Sequence, residues 1–171
     1  MEVTALTASV RTLLLCLLGC GLQAVDVAAW VAGTGRDLQA IDTLSATDVQ
    51  AGRRMMDLTA KAWADLRGLL AMPHDDVSEA ELKRLVAEKL TVLKTLIKLE
   101  AAVMAKFIGQ ELQINAELFS AYTTAERSHL KALDDLMYNW GDYDPQLRFG
   151  LFALQSCIKN LVPPEQRSGS P

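Results

Sequence analysis

Histidine, cysteine and clustered positive charge are all scarce in this chain, and each shortage removes a class of function. Of three cysteines in 171 residues, Cys16 and Cys20 fall in one apolar N-terminal run, which leaves Cys157 alone and gives no disulfide framework. The formal net charge is -4, and no block of Lys and Arg stands beside exposed aromatic rings. Such a chain has no positive field to neutralise phosphates, so nucleic acid is not expected as a partner. No stretch alternates apolar and polar residues as a half-buried strand does. A glycine-rich phosphate loop is missing as well: Gly33-Thr34-Gly35 is short and runs into Arg36-Asp37, without the lysine and hydroxyl that such cradles use.

Half of the residues are hydrophobic and 22% are charged, enough apolar surface for one ordered core. The apolar residues recur at helical spacing. Ser45-x-x-Asp48 has the form of a capping box, and the helix after it is expected from about Thr47 to Ala71, burying Met56, Trp63, Leu66 and Leu70, with Pro73 excluding any continuation. Ser78-x-x-Glu81 is a cleaner box. It opens the strongest stripe in the chain, from Leu82, Val86, Leu90 and Leu93 through Ile97, Met104 and Phe107 to Leu112. Gly109 costs that helix roughly 1 kcal/mol relative to alanine and is a candidate kink or boundary, although the pattern continues through Leu118 and Phe119.

Thr123-x-x-Glu126 is a third box and predicts a new helix carrying Leu130, Leu133, Leu136 and Met137. After the break at Trp140-Gly141-Asp142-Tyr143, Asp144 is placed to cap a last helix, with Pro145 in its first turn and Leu147, Leu151, Leu154, Ile158 and Leu161 on its inner face. The fold class expected is all-α. The architecture is a bundle of about four helices with one long central helix, preceded by an apolar, signal-like N-terminal segment. The divisions are 1–24 as a signal or anchor, 25–46 as a linker or loosely packed approach, 47–162 as the bundle and 163–171 as a disordered tail.

The N-terminus carries the argument about location. Arg11, the uncharged run Thr12 to Leu18 and the small Gly19 supply in order the parts of an export signal. Leu17-Leu18-Gly19-Cys20 resembles the lipobox of bacterial lipoproteins, and the resemblance implies that Cys20 is acylated and becomes the new N-terminus. Three other readings stand beside it: cleavage after Ala24, a retained anchor from Thr12 to Trp30, and an ordinary bundle helix with Val3, Leu6, Val10, Leu13, Leu14, Leu17 and Leu18 inward.

Candidate chemistry is thin. A Glu and a His three apart share a helix face, and carboxylate-bridged di-iron bundles use that motif twice, with a glutamate from each of two further helices. Here it occurs once, as Glu126-x-x-His129; His74, in Met72-Pro73-His74-Asp75-Asp76, has no matching glutamate. Glu100, Glu111 and Glu117 are the glutamates that a bundle can turn inward. The favoured reading makes Glu126 the end of a capping box and His129 a half-exposed residue, so neither metal nor cofactor is expected. Cys157, Ser128 and Ser156 have no histidine or lysine at a spacing that identifies a nucleophile system, and Cys157 is expected as a small buried hydrophobe. Met55, Met56, Met72, Met104 and Met137 read as core filler. Tyr138, Trp140 and Tyr143, beside Asp142 and Asp144 at a helix junction, are the best candidates for recognition of a partner protein; the competing reading has Trp140 plugging the end of the bundle.

The function expected is therefore an exported, possibly lipid-anchored, non-enzymatic bundle of the cell envelope that binds another protein as an accessory, pilot or immunity-type subunit. The alternative is a cytoplasmic helical adaptor or chaperone whose first helix packs on a partner. Third comes a metal-dependent oxidoreductase using Glu126 and His129.

Overall fold

A computed structural model describes residues 26–73 and 76–161. Among them are six α-helices and no strand: α1 (Val27–Asp42), α2 (Val49–Leu69), α3 (Glu79–Gly109), α4 (Ala116–Ser128), α5 (Leu130–Trp140) and α6 (Pro145–Lys159), with one 3-10 turn at Glu111–Gln113. The expected all-helical class and long helix are present, in a bundle of six helices. The signal-like run with Cys20, the loop residues His74 and Asp75, and the tail 163–171 lie outside the described residues. No described helix is long and apolar enough to cross a membrane.

The organising element is α3, whose 31 residues extend roughly 46 Å at about 1.5 Å per residue. Helices α1, α2 and α6 pack along it, α5 lies against α6, and α4 reaches α2 and α6. Its start matches the sequence reading, since the Ser78 side chain accepts the Glu81 N–H at 3.3 Å. The first turns stand largely in solvent, however, and Leu82 is exposed. A ladder of ion pairs covers them: Lys83 to Glu79 at 2.6 Å, and Arg84 to Glu81 at 2.7 Å and to Glu88 at 3.2 Å. From Val92 onward the buried face is apolar, through Leu93, Leu96, Leu99, Val103, Met104 and Phe107, except for Glu100 inside it.

Four expectations are corrected. First, the segment read as a linker contains α1. Val27, Trp30, Thr34, Leu38 and Ile41 form an inward stripe at helical spacing, and packing on the core outweighs the low helix propensity of Gly33, Thr34 and Gly35. Second, α2 is capped by Asp48, whose carboxylate accepts the Ala51 N–H at 2.9 Å. Ser45 instead bonds Gln110 at 3.2 Å, and the same Gln110 oxygen accepts the Ala46 N–H at 2.8 Å, tying the α1–α2 turn to the end of α3. The inner face of α2 is accordingly Gly52, Met55, Thr59, Ala62, Leu66 and Leu69, one residue away from Met56, Trp63 and Leu70, which are only partly buried.

Third, the buried stripe does not run on to Leu112: Gly109, a candidate boundary, ends the helix. The chain leaves α3 there, and the 3-10 turn points Leu112 into solvent at 93% exposure while Ile114 takes its place in the core. Fourth, the Thr123 box is not a helix start. Helix α4 begins at Ala116, capped by the Asn115 side chain on Leu118 N–H at 3.1 Å, and both Thr123 and Glu126 are buried within it. The actual break falls at His129. Helix α6 follows its expectation closely: Asp144 accepts the N–H groups of Gln146 at 2.8 Å and Leu147 at 3.1 Å, Pro145 opens the helix, and Leu147, Leu151, Leu154, Ile158 and Leu161 are buried.

Candidate functional site

Two features depart from an ordinary core, one inside the bundle and one on its surface. The internal one is built by helical periodicity. Glu100 continues the buried stripe of α3, and Glu126 continues the Phe119–Tyr122 stripe of α4, so each carboxyl is carried into the centre with its neighbours. Each residue is only 1% exposed. The two carboxyl groups are close enough to act on one another, so a proton on either one can be shared across the α3–α4 seam.

From α2, the Trp63 indole N–H donates to Glu100 Oε1 at 2.5 Å. The outer side of that indole is stacked on His129, with ring centroids 4.3 Å apart and planes 7° from parallel. Tyr122 stacks on Phe107 at 3.9 Å. Apart from the shared carboxyl contact, Glu100 Oε2, Glu126 Oε2 and the Tyr122 hydroxyl are buried without a hydrogen-bond partner.

The electrostatics follow from burial. Removal from water, more than any neighbour, pushes both carboxyls above the usual glutamate range, and the charge of Glu100 raises Glu126 further. The indole N–H acts in the opposite direction on Glu100. Burial also raises the Tyr122 phenol, with the charges of Glu126 and Glu100 adding to it, and lowers the His129 imidazole. Both carboxyls are thus biased toward their protonated forms relative to a glutamate in water. The cluster corrects the expectation for Glu126, which closes no capping box, and singles out Glu100 from the three glutamates considered. Among the described residues no three or more His, Cys, Asp or Glu side chains are grouped to hold a metal ion. The leftover oxygens are shielded from solvent, so a dissolved substrate has no path to them.

The surface feature lies on α6. Opposite its buried stripe this helix carries Phe149 and Phe152, exposed by 73% and 58%. On one flank they share a depression with Met137, Tyr138, Pro145 and Arg148. The other flank is an apolar groove of about 500 Å³ between α3 and α6, lined by Ile97, Ala101, Ala105, Ile108, Ala153 and Cys157. Cys157 is exposed, contrary to its expected burial, because it turns toward this groove and away from the core.

The sequence-derived recognition trio is split by the fold. Tyr138 is open to solvent and joins the α6 face. Trp140 packs partly against the core, and Tyr143 leans on it with centroids 5.8 Å apart. Asp144, expected as a cap, has a second bond to Lys94 at 2.5 Å. Phe149 and Phe152 were passed over, yet they are legible: three residues apart and opposite the Leu147–Leu151–Leu154 stripe, they make α6 apolar on two faces, which a helix needing one partner layer does not require.

No protein family model, curated protein or solved structure matches the chain.

Proposed function

We propose that this protein is a non-catalytic binding module that docks a partner protein on the outer face of α6. The observation that carries the reading is the pair of apolar depressions that α6 lines, one with exposed Tyr138, Phe149 and Phe152 and the other with Ile97 and Ala153. Large apolar patches are unfavourable on a protein that works alone and recur where proteins meet. The aromatic side chains of the first depression are of the type that anchors interfaces. The partner surface that fits is an amphipathic helix with an uncharged apolar face, since the groove runs along two helices and its lining carries no charge. Such a module needs no reacting group, in keeping with a carboxyl pair that is sealed from solvent.

The lipobox-like Leu17 to Cys20 supports an envelope site for this docking, with Cys20 as the lipid anchor. In this reading the bundle presents α6 to an envelope assembly as an accessory subunit.

The test is site-specific photo-crosslinking in the native host. A photoreactive phenylalanine at position 152 is expected to join the module to a single different protein, and Phe149→Ser should abolish the product. The same group at Lys61 on α2 should give none. Crosslinking only to a second copy, or to nothing, overturns the reading. Intact mass tests the location: a mature chain starting at acylated Cys20 supports the envelope, and an unprocessed Met1 overturns that part.

A further inference from the structure

We propose that Glu100 and Glu126 form a proton-held lock between α3 and α4, closed while the carboxyl pair shares a proton and released reversibly when that proton is withdrawn. The inference stands apart from the docking role of α6 and rests on placement. Four segments meet at the pair: α2 through Trp63, α3 through Glu100, α4 through Tyr122 and Glu126, and the α4–α5 corner through His129. The titratable groups beside it are Tyr122 and the neighbouring His129; from α6 the exposed Cys157 thiol acts on Tyr122 only through its charge. Neither carboxyl draws an opposing charge from a Lys or Arg among the described residues. Nearby Arg127 is already committed, its guanidinium donating to the Leu161 carbonyl.

With one proton the pair is a hydrogen bond across the seam. With none it is two like charges in contact, away from water, and each then needs solvation that only an opening of the seam supplies. Helix α4 is the element that gives way. It is a 13-residue helix joined to α3 by the turn after Gly109 and to α5 by the His129 break. Its hold on α3 includes this contact and the stacking of Tyr122 on Phe107. The oxygens of Glu100, Glu126 and Tyr122 that lack partners are the groups water would reach first.

The direction of the pH effect follows from linkage. Both carboxyls are raised in the folded state above the ordinary value of 4.5, so folding takes up protons there. The stabilisation is complete below that ordinary value and is lost as pH rises through the raised folded values, the reverse of a salt-bridged carboxylate. Because the two groups share a proton, they titrate as a unit.

The experiment compares the full chain with Glu126→Gln and Glu100→Gln from about pH 5 to about pH 9, reading the thermal midpoint and the amide exchange of α4. The wild type is expected to lose at least roughly 5 °C over this range. After correction for intrinsic exchange, its α4 amides should exchange at least roughly ten times faster at the upper end, and return on reacidification. Either glutamine variant should make both curves clearly shallower, since the like-charge contact is gone and the amide keeps a donor across the seam, while the remaining buried carboxyl still titrates. A wild-type midpoint that is level or rising, or variants that follow it in parallel, overturns the proposal. If one variant fails to fold, the other decides. The infrared band of a protonated carboxylic acid gives an independent readout: it should persist in the wild type at neutral pH, and its absence also overturns the lock.

Discussion

At the scale of single residues, the interior of this bundle is decided by Trp63. Among the described residues its indole N–H is the donor from outside the pair that reaches Glu100, and its ring carries His129. Trp63→Phe keeps a ring for the stack but strips Glu100 Oε1 of that donor. Leaving a buried acceptor unsatisfied costs about 1–3 kcal/mol, so urea denaturation should show a loss of that size. The burial of Glu100 was legible in the sequence, because it falls between Leu99 and Val103 on an uninterrupted stripe. That of Glu126 was masked by Thr123, since Thr-x-x-Glu has the same spacing at a helix start and inside a helix. Their pairing was not legible at all: contact between α3 and α4 is set by packing, and neither local pattern encodes it.

The helices themselves divide by how their ends are made. Ends fixed by a short-range side-chain bond, at Ser78 and Asp144, were visible as sequence signals, and so was the proline that opens α6. Ends fixed by tertiary contact were not, nor was the Asn115 cap of α4, which the Thr123 spacing obscured. Helix α1 depends on its stripe against α3, and the α4–α5 break has neither glycine nor proline to announce it. Two substitutions test this division. Asn115→Ala removes the cap of α4 and should cost about 0.5–2 kcal/mol in chemical denaturation. Gly141→Ala acts on the α5–α6 turn, where a Cβ would stand 2.5 Å from the Met137 carbonyl oxygen and 3.3 Å from Arg148. Backbone must shift to admit it, and a loss of roughly 1–3 kcal/mol is expected by the same measurement.

For the whole molecule, the core and the α6 face make separable demands on the chain. Leu147, Leu151, Leu154 and Ile158 hold α6 in place, while Phe149 and Phe152 contribute little to folding because they remain in solvent. The double variant Phe149→Ser, Phe152→Ser should therefore keep a calorimetric midpoint within about 2–4 °C of the wild type, as surface changes do. Retention on a hydrophobic column should fall at the same time. A large drop in the midpoint would mean that the face is part of the core architecture. The proposed location rests on residues before Asp26 and the docking surface on residues from Ile97 onward, so the two stand or fall independently.

The stack of Trp63 on His129, with the indole nitrogen bonded to Glu100, also makes the protein its own optical gauge. Of the three tryptophans, Trp30 and Trp140 sit at the margin of the core, and replacing both with phenylalanine would leave one chromophore between an imidazole and a carboxyl. Its emission would then register the state of the seam between α2, α3 and α4 in real time, from within an unlabelled chain.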